Sequence, residues 1–134
     1  MAGGPCELDS PYGGIFFYGI HTVEMALQGY GYDVETVSAV RTAEGAVATL
    51  SLASGMLVNL HLIKPYVFQA LVHGEKGSRY QEIDSSDGYD RGFAAMVDGI
   101  RSGVRPLSDA QLLMPVRVLA ALDEALTTGK SVGI

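Results

Sequence analysis

The sequence predicts an α+β domain, with an open, mainly antiparallel sheet of four or five strands and three helices packed on one face. Three observations lead there. Apolar residues recur at helical spacing once near the start of the chain and twice near its end. Between those stretches lie short β-rich runs separated by turn residues. No Gly-x-Gly-x-x-Gly occurs, so nothing marks the glycine turn of a parallel dinucleotide-binding unit.

Met1 to Tyr12 contains Gly and Pro and reads as a flexible lead-in, which leaves 13–134 as the folded domain. The first helix is expected between Gly13-Gly14 and Gly29-Tyr30-Gly31. Phe16, Ile20, Val23 and Leu27 form its apolar stripe, and Phe17, His21, Glu24 and Gln28 form a second stripe about 100° round. An aromatic, an imidazole and a carboxylate together are unusual for a plain solvent face.

Strands follow over Val34–Thr42, Ala46–Ala53 and Met56–Ile63, with turns at Glu44-Gly45 and Ser54-Gly55. Lys64-Pro65 ends the third, because proline cannot donate to a central ladder. Tyr66–His73 is expected to return through Gly74-Glu75-Lys76-Gly77 as Arg79–Ile83. If Ser54-Gly55 is a two-residue turn, Ala53 lies opposite Met56 and neither sheet face is cleanly polar. Helices would cover one face and a second copy of the chain the other, making a homo-oligomer through the open face.

The closing helices are expected over Tyr89–Ser102 and Ser108–Thr128, with Gly103 and Gly129 as their stops. Pro115 lies inside the last pattern, which predicts a kink or a late start.

The bulk composition narrows the function. With 48% hydrophobic and 18% charged residues the chain is built to pack, not to stay disordered. The net charge is −6 and the nine Lys and Arg are scattered, so the clustered basic footprint of a nucleic-acid or anionic-membrane binder is absent. Cys6 is the only cysteine, which rules out an intrachain disulfide and suits a reducing cytoplasm. Met1 to Ser10 lacks the basic and apolar regions of a signal peptide, and the apolar stretch 46–63 is too interrupted to span a membrane.

Most chemical motifs fail on inspection. Thr128-Gly129-Lys130-Ser131 has Glu124 where a phosphate loop needs its first glycine. Asp84, Asp87 and Asp90 lack calcium-loop spacing, and His21, His61, His73 and Cys6 lack zinc spacing, so no metal is expected. His21 remains. An imidazole titrates near neutral pH and serves as acid, base or hydrogen-bond donor. On residue chemistry alone, a buried or half-buried histidine with a backbone or Glu24 partner is the competing reading.

The order of these stretches resembles the C-terminal domain of Gfo/Idh/MocA-family NAD(P)-dependent oxidoreductases. Gly13-Gly14 through Gly19-Ile20-His21 is similar to that family's Gly-Gly…Gly-x-His helix, and Val72-His73-Gly74-Glu75-Lys76-Gly77 to its strand–turn. Ser108-Asp109-Ala110, Ala120–Ala125 and Thr128–Val132 resemble its closing helix and tail.

The resemblance implies a substrate-binding and oligomerisation half that acts with a separate N-terminal Rossmann domain, which holds NAD or NADP. It places His21 at the substrate, as the catalytic candidate, with Tyr18 and Glu24 as binding neighbours. Phe17 stands where the family commonly carries an aspartate four residues before its histidine. By this reading the chain has no cofactor-binding residues of its own and is inactive alone, and its partner is a small, sugar-like hydroxyl or carbonyl compound. A rival reading is a free-standing, non-catalytic α+β module that dimerises through its sheet or binds a small ligand.

Overall fold

The computed structural model describes residues 1–134. Its elements, in chain order, are β1 (Ala2–Pro5), α1 (Ile15–Tyr30), β2 (Val34–Thr42), β3 (Gly45–Leu52), β4 (Leu57–Ile63), β5 (Gln69–Gly74), β6 (Gly77–Glu82), α2 (Gly88–Ser102), α3 (Asp109–Thr128) and β7 (Val132–Gly133). The class is the expected α+β with an open sheet. The sheet has seven strands rather than four or five, in the order β6-β5-β1-β4-β3-β2-β7.

The largest departure is at the N-terminus. Residues 2–5 are not a flexible lead-in; they are a buried strand in the middle of the sheet. β1 pairs parallel with β4, from Ala2 opposite Leu60 to Pro5 opposite Ile63, and antiparallel with β5. All the other pairings are antiparallel. Gly3 and Gly4 explain why such a glycine-rich segment serves here, because both faces of the strand are crowded. A Cβ on Gly3 would meet the Gln69 side chain, and one on Gly4 would meet Thr22 and Phe68. The segment after it is ordered too, with Ser10 buried and its carbonyl accepting from the Gly14 N–H.

The β3–β4 turn differs from expectation by one residue. Leu52, not Ala53, lies opposite Met56, and the Leu52 N–H donates to the Met56 carbonyl at 3.0 Å. Asp33 sets this register from the side. Its carbonyl accepts from the Ala53 N–H and its carboxylate from the Ser54 N–H. Gly55, at φ 84°, takes the left-handed position that a three-residue turn requires.

That single step reassigns one strand's faces relative to the other. Ala46, Ala48, Leu50 and Leu52 now share a buried face with Val58, Leu60 and Leu62. Val47, Thr49 and Ser51 share the open face with Leu57, Asn59 and His61. The expected two-sided apolar sheet is therefore replaced by one apolar face and one mixed face. On the mixed face the Thr49 hydroxyl donates to Asn59 Oδ1 at 2.9 Å, while Val40 and Leu57 stay exposed.

The core fills the space between the apolar face and two helices. α1 contributes Val23, Ala26 and Leu27, and α3 contributes Val118, Leu119 and Leu122, all at most 1% exposed. Gly19 is the contact point of three elements, since a Cβ there would lie 3.3 Å from Leu119 and 3.5 Å from Cys6 Sγ. Phe16, placed in the apolar stripe by spacing, is exposed; the face that packs runs through Ile15, Gly19, Thr22, Val23 and Ala26.

α3 does not start late. Ser108 caps it, and the chain runs helically through Pro115, which is buried. α2 departs from the expected trio of packed helices. None of its residues is buried, and Phe93, Met96 and Ile100 face outward. The stripe is amphipathic, but nothing within the chain covers it.

Candidate functional site

The site begins with α1, whose outward face carries Tyr18, His21 and Glu24 on successive turns. His21 Nδ1 lies 3.7 Å from Glu24 Oε2, an ion-pair distance longer than a hydrogen bond, with both side chains about half exposed. Glu24 is thus a charged neighbour of the imidazole that makes no hydrogen bond to it.

The opposite wall comes from the segment after β4. Lys64-Pro65 ends that strand, and the chain then turns so that Tyr66 and Phe68 project towards α1. The Phe68 carbonyl accepts from the Ile83 N–H at 2.8 Å, which ties this segment to the end of β6. Four rings follow one another edge to face. The centroids are 5.9 Å apart for Tyr18–Tyr66, 5.7 Å for Tyr66–Phe68 and 6.5 Å for Phe68–His21.

Between these walls is an open cleft of about 400 Å³, lined by His21, Met25, Tyr66, Phe68, Ile83, Ser85, Gly88 and Tyr89. No Lys, Arg, Asp or Glu lines it. A second hollow of about 570 Å³ shares His21 and Met25 and adds Glu24 and Gln28. His21 therefore stands on the ridge between two cavities, within reach of a ligand in either. Asp84, just outside the first cleft, has its carboxyl held below the ordinary carboxylate range, chiefly by the Ser86 N–H.

The structure brings His21 and Glu24 together as expected, and sets Tyr18 beside them at 6.0 Å from the His21 ring. Tyr18 lines a neighbouring recess with Cys6 and Lys64 rather than the His21 cleft. Phe17 points away from His21, against Tyr12 and Tyr18. Sequence reasoning missed Tyr66, Phe68 and Tyr89. Two aromatics at alternate positions directly after a strand-ending Lys-Pro were the available signal for the first two.

The chain holds no cluster of three or more His, Cys, Asp or Glu suited to a metal ion. No helix is long and apolar enough to cross a membrane.

This architecture is the C-terminal-domain fold of Gfo/Idh/MocA-type dehydrogenases. No protein-family model and no curated protein sequence matches the chain. Solved structures do. It is similar to a myo-inositol dehydrogenase from Corynebacterium glutamicum, with a TM-score of 0.78 and 18% identity over 99% of this chain and 55% of that one. A protein from Thermotoga maritima described as a probable dehydrogenase aligns with a TM-score of 0.73 and 19% identity over 98% of this chain and 55% of its own. A scyllo-inositol dehydrogenase from Lactobacillus casei, solved with NAD(H) and scyllo-inositol, aligns at 0.64 and 14% identity over 98% of this chain and 55% of its own. The chain thus spans a little over half the length of these enzymes, and what it shares with them is a fold.

Proposed function

We propose that the chain is the substrate-binding and oligomerisation half of an NAD(P)-dependent oxidoreductase acting on a hydroxyl or carbonyl compound. The observation that carries this reading is His21, beside Glu24 on the rim of an aromatic cleft, in a fold shared with dehydrogenases. The residues present do not fit a dinucleotide. There is no Gly-x-Gly-x-x-Gly turn, and the one parallel strand pair, β1 and β4, is separated in sequence by two antiparallel strands. NAD or NADP would be held by a partner Rossmann domain, where it supplies the hydride acceptor or donor.

In that arrangement the ligand's polar edge meets the His21 nitrogen turned away from Glu24. His21 takes the proton from a hydroxyl, or in the reverse direction gives one to a carbonyl oxygen, with Glu24 as its nearest charged neighbour. The aromatic wall excludes water from one side of the ligand. The open sheet face is the proposed contact with a second copy, on the strength of exposed Val40, Val47 and Leu57.

The test joins the chain to a competent Rossmann half and compares turnover with and without His21→Ala. A fall of about 100-fold or more in kcat is the expected result for a lost acid–base group. Unchanged turnover removes His21 from the mechanism. Absence of turnover in any pairing, with a stable dimer, favours the non-catalytic module.

A further inference from the structure

We infer that the His21 cleft takes an uncharged ring compound with one face free of hydroxyl groups, laid against Tyr66 and Phe68. The inference rests on the reading of His21 as a substrate-site residue and adds the class of substrate.

The first ground is charge. His21 is the only lining group that can carry one, and its neighbour Glu24 is anionic. A carboxylate or phosphate entering here would shed water against Met25, Phe68 and Ile83, and this chain's lining offers it no lysine or arginine. A neutral ligand loses nothing comparable.

The second ground is the shape and finish of the wall. Tyr66 is 67% exposed, yet it is held by Tyr18 on one side and Phe68 on the other, at interplanar angles of 87° and 79°. Phe17 stands edge-on to Tyr18 at 4.7 Å and supports the row from behind. Rings braced in this way form a preset apolar surface, and ordering them on binding costs little entropy. A ring whose carbons carry hydroxyls on both faces would press some of them onto this surface without partners. A ring with one bare face stacks on it and turns its polar edge to His21 and Ser85.

The test follows the His21 and Tyr66 ring signals of the chain by NMR during titration with four probes. Benzyl alcohol and cyclohexylmethanol are neutral rings with a bare face, allo-inositol carries axial hydroxyls on both faces, and benzoate is charged. The two neutral alcohols are expected to shift both residues in the millimolar range, about tenfold more tightly than either allo-inositol or benzoate. Equal binding of the two alcohols assigns the recognition to face shape, and preference for benzyl alcohol assigns it to an aromatic ring.

Tyr66→Ala should weaken the alcohols about tenfold while Tyr66→Phe retains them. Unchanged affinity in Tyr66→Ala overturns the inference. Stronger shifts at His21 with allo-inositol or benzoate also overturn it, but leave His21 as a substrate-site residue. If no probe moves His21, the inference and that reading fall together.

Discussion

Gly4 of β1 lies directly beneath Thr22 of α1, so close that a methyl group on Gly4 would overlap the Thr22 hydroxyl. The same methyl would come within 3.0 Å of the Phe68 ring. Thr22 is fully buried and its Oγ1 has no hydrogen-bond partner, so this contact is one of steric fit alone.

Gly4→Ala is therefore expected to destabilise the fold by about 1–3 kcal/mol in urea titration, the usual cost of overpacking. Because His21 adjoins Thr22 and Phe68 faces it, the same change should spread the cleft and shift both ring signals. Adding Thr22→Ala should recover part of the loss, as coupled neighbours do. Thr22→Val alone should be neutral or slightly stabilising, since it removes a buried hydroxyl that bonds to nothing.

Cys6 supplies a pH dependence. Burial pushes its thiol up from an ordinary value near 9 to about 11, opposed by the Gly19 backbone and reinforced by Glu7. The fold thus holds the proton more tightly than the unfolded chain does. This contribution is complete below about pH 9 and is lost as pH rises towards 11. Chemical denaturation across that window should show stability falling in the parent and falling less in Cys6→Ala. Tyr30 is also raised by burial, its hydroxyl donating to the Met1 and Leu71 carbonyls, so the difference between the two proteins is the quantity to read.

The start of α3 depends on a reciprocal cap. Ser108 Oγ accepts from the Gln111 N–H at 3.2 Å, and Gln111 Oε1 accepts from the Ser108 N–H at 2.9 Å. The turns that follow bury little before Pro115, with Leu112 and Leu113 about half exposed. Ser108→Ala should cost about 1 kcal/mol. Hydrogen exchange should place the loss in residues 109–114 and leave the buried half of the helix protected.

A charged pair of substitutions tests the sheet face. Val47→Glu with Leu57→Lys keeps both side chains in solvent in the monomer and should change its stability by only about 0.5 kcal/mol or less. Sedimentation should show the parent as a dimer or larger species and the double variant as a monomer. A parent that is monomeric at all concentrations removes the sheet face as an oligomer surface.

The helices and the central meander were legible because their patterns are local. β2 runs from Val34 to Thr42, the bounds of its β-rich run, and Ser108 and Gly129 bracket α3 as capping chemistry dictates. The β3–β4 register was not legible, because it is set by Asp33, well outside the turn it pins. β1 was hidden for a related reason. Gly-Gly-Pro has no periodicity of its own, and its place is fixed by what α1 and β5 leave room for. At the site, His21 and Glu24 were readable from one helix, whereas Tyr66 and Phe68 reach them only through the tertiary turn after Pro65.

The central position of β1 also orders events in time. Its partners, Leu60–Ile63 and Gln69–Ala70, are made well after it, and every ladder bond it forms spans a long loop of chain. Until it slots in, the β5–β6 hairpin has no sheet edge to join, and the segment bearing Tyr66 and Phe68 is anchored at one end only. Closure of the sheet and assembly of the aromatic wall are therefore expected to fall together, late in folding.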